Sequence, residues 1–121
     1  MYDHIGLRVK SLEDSVRFYE GALETLGYEL VTRDETYAGF GPEGAAAFWL
    51  HAHPEGKRLG GAHIAFTAQS RRAVDEFHTE GLQAGGRDNG APGVRMDYSP
   101  KYYAAFLQDP DGNNVEVVCA E

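Results

Sequence analysis

The feature that most constrains this chain is an internal repeat, because a sequence built from two copies of one unit folds as two copies of one unit. His4-Ile5-Gly6-Leu7-Arg8-Val9 recurs 59 positions later as His63-Ile64-Ala65-Phe66-Thr67-Ala68. The same spacing pairs Ser11 with Ser70, Phe18 with Phe77, Leu23 with Leu82 and Gly27 with Gly86. Beyond the helices it widens to 68, aligning Pro42-Glu43-Gly44 with Pro110-Asp111-Gly112 and therefore Phe48 with Glu116. The second copy carries nine more residues, placed around Asp88-Asn89-Gly90-Ala91-Pro92-Gly93. That stretch of turn formers reads as a loop and a candidate cover for a site.

Each copy opens with strict alternation, Ile5, Leu7 and Val9 against His4, Gly6 and Arg8, which is the period of a half-buried strand. Ser11 then fits a helix N-cap, and Leu12, Val16, Tyr19, Leu23 and Leu26 follow at helical spacing up to Gly27. Three short strands are expected at Tyr28 to Val31, Tyr37 to Phe40 and Ala46 to His51. The second copy predicts a strand near Ala62 to Ala68, a helix from Ser70 to Ala84, and strands near Tyr102 to Leu107 and Val115 to Cys119. Asp109-Pro110-Asp111-Gly112 has the residue order of a type I turn and joins the last two strands as a hairpin. The unit is βαβββ and the expected class is α+β: a single domain over residues 1–121, with one module at about 1–58 and the other at about 59–121. Gly39-Phe40-Gly41-Pro42-Glu43-Gly44 matches the glycine spacing of a dinucleotide loop, but the repeat puts it in a hairpin rather than at the start of a helix.

Composition narrows the partners. With 42% hydrophobic and 25% charged residues the chain of 121 suits one globular domain. Nineteen acidic against 11 basic residues give a formal charge of −8, a field that repels phosphate backbones and anionic lipid, so neither nucleic acid nor membrane is expected as a partner. One cysteine, Cys119, forms no internal disulfide, and no basic-then-apolar leader is visible, so a cytoplasmic location is the expectation.

His4 and His63 hold equivalent positions, each on the strand face opposite its apolar neighbours. Glu116, between Val115 and Val117, points away from their face too. Two imidazoles and one carboxylate suit zinc, iron, manganese or nickel and leave coordination positions open. A single strand histidine is more ordinarily a hydrogen-bonded surface or core residue. His51 and His53 read as a solvated strand end and His78 as a partly buried helix residue. Tyr37, Tyr98, Tyr102, Tyr103 and Arg95 are candidates to orient a substrate, with a phenol such as that of Tyr103 as a catalytic proton donor beside Glu116.

The doubled unit, with His4 and His63 opening the copies and Asp109-Pro110-Asp111-Gly112-Asn113-Asn114-Val115-Glu116 closing the second, resembles the vicinal oxygen chelate superfamily of glyoxalases, bleomycin-resistance proteins, fosfomycin-resistance transferases and extradiol dioxygenases. The resemblance implies paired sheets forming a cleft, a divalent metal held at His4, His63 and Glu116, a small-molecule substrate and a homodimer. It also implies a second glutamate in the first module, where the spacing puts Phe48 instead. Two functions follow: a metal-dependent lyase or dioxygenase acting on a substrate chelated through neighbouring oxygens, or a metal-free protein that sequesters a drug.

Overall fold

A computed structural model describes residues 1–121. Two sequence-equivalent serines start the helices. Ser11 Oγ accepts from the Asp14 amide at 3.2 Å to open α1 (Leu12–Glu24), and Ser70 Oγ accepts from the Ala73 amide at 3.1 Å to open α2 (Arg71–Gln83). Gly27 and Gly85, with φ of 82° and 107°, turn the chain out of each helix in a conformation that side chains resist.

The strands are β1 (Ile5–Val9), β2 (Glu29–Arg33), β3 (Tyr37–Gly41), β4 (Phe48–Ala52), β5 (His63–Thr67), β6 (Arg87–Val94), β7 (Tyr103–Gln108) and β8 (Asn114–Cys119). They form two four-stranded sheets with the same order, β1-β4-β3-β2 and β5-β8-β7-β6. In each the outer pair β1·β4 or β5·β8 is parallel and the rest is antiparallel. The βαβββ unit is therefore present twice, an α+β architecture.

One apolar core joins the two modules. Val9, Phe40, Phe48 and Leu50 of the first sheet and Phe66, Leu107, Val115 and Val117 of the second are buried with the inner faces of both helices. The Phe48 and Phe66 rings meet edge-on with centroids 5.4 Å apart. Phe18 of α1 lies over the second module, where a Cβ on Gly86 would stand 2.4 Å from its ring, so glycine there is what lets α1 approach. Each such fully buried side chain contributes roughly 1.5–3 kcal/mol.

Two sequence expectations fail here. The stretch 88–93 is not a loop but part of β6, an eight-residue edge strand that pairs with β7 through two register shifts. The bulges fall at Asn89 and at Ala91-Pro92, while Gly90 stays paired with Phe106, so turn-forming composition was outvoted by pairing. The other failure concerns the counterpart of Glu116. Across the first sheet one row runs Gly6, Trp49, Gly39, Thr32, and across the second Ala65, Glu116, Phe106, Gly90. Trp49, not Phe48, therefore occupies the place of Glu116. The two hairpins are equally long, Phe40 pairing with Phe48 as Leu107 pairs with Val115, so Pro42 holds the place of Asp109; aligning Pro42 with Pro110 was a one-residue slip, and such a slip moves a side chain to the other face. Phe48 is the counterpart of Val115 and lies in the core. No helix is long and apolar enough to cross a membrane.

Candidate functional site

On the face of the second sheet turned away from the helices, β8 presents Glu116 and β5 presents His63. Their register puts Glu116 beside Ala65, whose small side chain leaves His63, one row away, free to lean over. His63 Nε2 and Glu116 Oε1 are 2.8 Å apart, a hydrogen-bond contact. The other carboxylate oxygen, Oε2, accepts a short hydrogen bond from the Tyr102 hydroxyl. That bond first, and burial and the nearby negative charge after it, push the Tyr102 phenol up to about 12, so it remains a donor. Tyr98 packs edge-on against Tyr102 with ring centroids 4.8 Å apart.

The Glu116 side chain is only 4% exposed whereas that of His63 is 55% exposed. The carboxylate thus sits at the floor of the face and the imidazole stands at its opening. No lysine or arginine pairs with Glu116; its partners are an imidazole and a phenol. A buried carboxylate ordinarily has a compensating cation, and an oxygen beside an imidazole nitrogen is a donor pair suited to a divalent transition metal. The residues present fit such an ion to the extent of two ligands.

His4 is not with them. Its Nδ1 lies 2.7 Å from Asp3 Oδ1, its side chain is 62% exposed, and no three histidine, cysteine, aspartate or glutamate side chains of the chain converge on one point. The repeat gives His4 and His63 equivalent positions in their own sheets, but the shared helix-side core keeps the two outer faces from meeting within a single chain.

Tyr103 is a correction. Its hydroxyl donates to Asp75 Oδ1 at 2.6 Å and its ring carries the Arg71 guanidinium, 5.0 Å from the centroid. It belongs to the helix-covered face and cannot act beside Glu116. Alternation along β7 decides this: Tyr103, Ala105 and Leu107 face the core, leaving Tyr102, Ala104 and Phe106 on the face of Glu116. The apolar Leu107 already fixed that parity in the sequence, so Tyr102 was the recoverable choice.

The other histidines are placed simply. His51 lies in β4 opposite Arg8 and Tyr37, His53 is exposed beyond the strand, and His78 of α2 bonds Asp88 of β6 at 2.9 Å. The sequence reading missed Asp109. It is 1% exposed and takes hydrogen bonds from the Asp111 and Asn113 amides, Asn113 Nδ2 and the hydroxyl of Tyr19 on α1. This ties the turn behind Glu116 to the other module. Burial, then the neighbouring Asp109 charge, raise the Tyr19 phenol well above its ordinary value.

Comparison with known proteins points one way. The model of the Glyoxalase/Bleomycin resistance protein/Dioxygenase superfamily matches residues 2–117. The uncharacterized protein YqjT of Bacillus subtilis is 31% identical over 130 residues, covering 95% of this chain and 95% of that protein. Virulence protein STM3117 of Salmonella typhimurium is 29% identical over 122 residues, covering 95% and 81%. A crystal structure of a glyoxalase/bleomycin resistance protein from Albidiferax ferrireducens superposes with a TM-score of 0.84 at 29% identity, covering 100% of this chain and 99% of that one. A glyoxalase/bleomycin resistance protein/dioxygenase family enzyme from Burkholderia phytofirmans shares the fold with a TM-score of 0.75 at 18% identity over 98% of each chain.

Proposed function

Because the chain belongs to the Glyoxalase/Bleomycin resistance protein/Dioxygenase superfamily, we propose that it is a metal-dependent enzyme acting on small molecules with two neighbouring oxygens. His63 and Glu116 supply two ligands to a divalent ion (zinc, iron, manganese or nickel), and His4 of a second copy of the chain supplies the third. The observation that carries this reading is the buried Glu116 carboxylate, without a lysine or arginine partner, set against an accessible imidazole. A bound divalent ion would act as a Lewis acid on the substrate oxygens. Around it, Tyr102 fixes one carboxylate oxygen and leaves Oε1 turned toward His63. β1 and β5 are free sheet edges and His4 is exposed, which supports completion of the site by a homodimer.

Glyoxalase isomerisation is expected to be weak. It needs a positioned base to move a proton between carbons, and Trp49 stands where the first module would carry a second carboxylate. Elemental analysis tests the proposal. One divalent ion per site, lost in His63→Ala and in Glu116→Gln, is the expected result. Mixing His4→Ala chains with His63→Ala chains should restore part of the bound metal if the ligands come from two chains.

A second reading has its own support. No three ligating side chains converge within the chain, and the outer face of the first sheet carries Trp49 and Tyr37, rings 6.0 Å apart, in place of a carboxylate. In that reading the protein binds a small molecule without metal. Purified protein free of stoichiometric metal, and unable to take it up, would select it.

A further inference from the structure

The nine-residue surplus of the second module lengthens β6 and its turn into β7, and it delivers Arg95 to the face of Glu116. Arg95 is half-buried, and its guanidinium carbon lies 5.3 Å from the centroid of the Phe106 ring. Phe106 is the direct cross-strand neighbour of Glu116, and its ring centroid is 6.4 Å from that of His63. The guanidinium therefore lies one phenyl ring away from the His63–Glu116 pair.

Its position is prepared. Nη2 donates to the Ala91 carbonyl at 2.7 Å, holding the side chain folded back over the sheet. A Cβ on Gly90 would stand 3.3 Å from Nη2 and 3.0 Å from Phe106, and one on Gly93 would stand 3.1 Å from Nη1, closer than side chains ordinarily pack. Glycines at both positions make the room that the guanidinium fills. Yet no carboxylate lies within ion-pair distance of Arg95, in a chain with nineteen acidic residues. Of five guanidinium N–H donors one is engaged by a protein oxygen, which leaves a planar fork matched to a carboxylate.

We propose that Arg95 is a specificity-determining residue that receives a carboxylate of the substrate, so that the substrate class is a small acid carrying its neighbouring oxygens about one ring's length from the carboxylate. This rests on the His63–Glu116 reading for the other end of the molecule. Arg95 is preorganised, so little side-chain entropy is lost on binding, and a neutral analogue leaves the fork unpaired.

The test compares protocatechuate, a catechol bearing a carboxylate, with its neutral amide. On the metal-loaded protein protocatechuate is expected to bind about tenfold tighter than the amide, as a charge-assisted bond to arginine implies. In Arg95→Gln the preference should fall to about one with metal stoichiometry unchanged, and Arg95→Lys should recover only part of it. Equal binding of the two compounds by the native protein, or a preference that survives Arg95→Gln, overturns the inference. A metal-free readout in the native protein separates it from the metal reading: the Arg95 Nε–H resonance should move with protocatechuate and stay fixed with the amide. Movement in a protein that takes up no metal would keep Arg95 and sink the metal. Metal-dependent catechol binding with a motionless Arg95 resonance would do the reverse.

Discussion

The two modules share strand order, helix caps and a shared core, yet at the centre of their outer faces they differ completely. In the first, Trp49 lies between Gly6 and Gly39, and a Cβ on Gly39 would stand only 2.8 Å from its ring, so the indole lies flat on the sheet. In the second, Glu116 lies between Ala65 and Phe106, sunk beneath His63 and Tyr102. The hairpin turns differ as well. Asp109 anchors the second through four hydrogen bonds, while its counterpart by sheet register is Pro42, whose side chain has no polar atom. One fold thus carries a carboxylate with its supports in one copy and an aromatic surface in the other. What the modules share is what packs the core; what they do not share is what faces outward.

The largest expected effect separates these centres directly. If the proposed metal site is right, Glu116→Ala should lower metal affinity by more than about 100-fold, because it removes the proposed buried ligand rather than a supporting contact. Trp49→Ala should leave metal uptake unchanged. Equilibrium dialysis of both variants decides it, and equal losses would erase the distinction.

The turns come next. Asp109→Ala should cost about 3–5 kcal/mol in denaturant unfolding, since it strips a buried network of its acceptor. Tyr19→Phe should cost about 1–3 kcal/mol, because Asn113 still satisfies Asp109. The Tyr19 phenol has a raised value in the folded state, so its stabilisation is fully present below its ordinary value of 10.0 and is lost as pH climbs toward the folded value. The stability gap between native protein and Tyr19→Phe should therefore narrow above pH 10.0 and stay constant below it.

Gly39→Ala probes the flat indole. The added methyl meets the Trp49 ring and the Ala46 side chain, and a loss of about 1–3 kcal/mol is expected. Ala65→Gly, on the opposite flank of the other centre, should cost no more than about 1 kcal/mol. Thermal melts giving the opposite order would show that Trp49 can move aside.

The smallest effect lies at the β6 edge. The His78 hydrogen bond, then the Gly90 amide, hold Asp88 below its ordinary value of 3.8. A lowered carboxylate contributes above its unfolded value and loses that contribution as pH falls through the folded one. Asp88→Asn should therefore be slightly less stable than native at neutral pH and indistinguishable from it well below pH 3.8. Paired melts at the two pH values measure this.

Local pattern alone carried the sequence a long way. The repeat, the two serine caps, the Asp109-Pro110-Asp111-Gly112 turn and the outward parity of His63 and Glu116 all follow from periods of two and 3.6, which are properties of a few consecutive residues. Tertiary structure decided the rest, and for one physical reason: pairing and packing between distant segments have no local signature. The pairing of β3 with β4, not the matching Pro-x-Gly turns, set the register that puts Trp49 rather than Phe48 in the place of Glu116. Cross-strand bonding turned the Gly- and Pro-rich stretch at 88–93 into β6 and brought Arg95 onto Phe106. The helix-side core that Phe48 and Phe66 close kept His4 apart from His63, so equivalence along the chain did not become proximity in space.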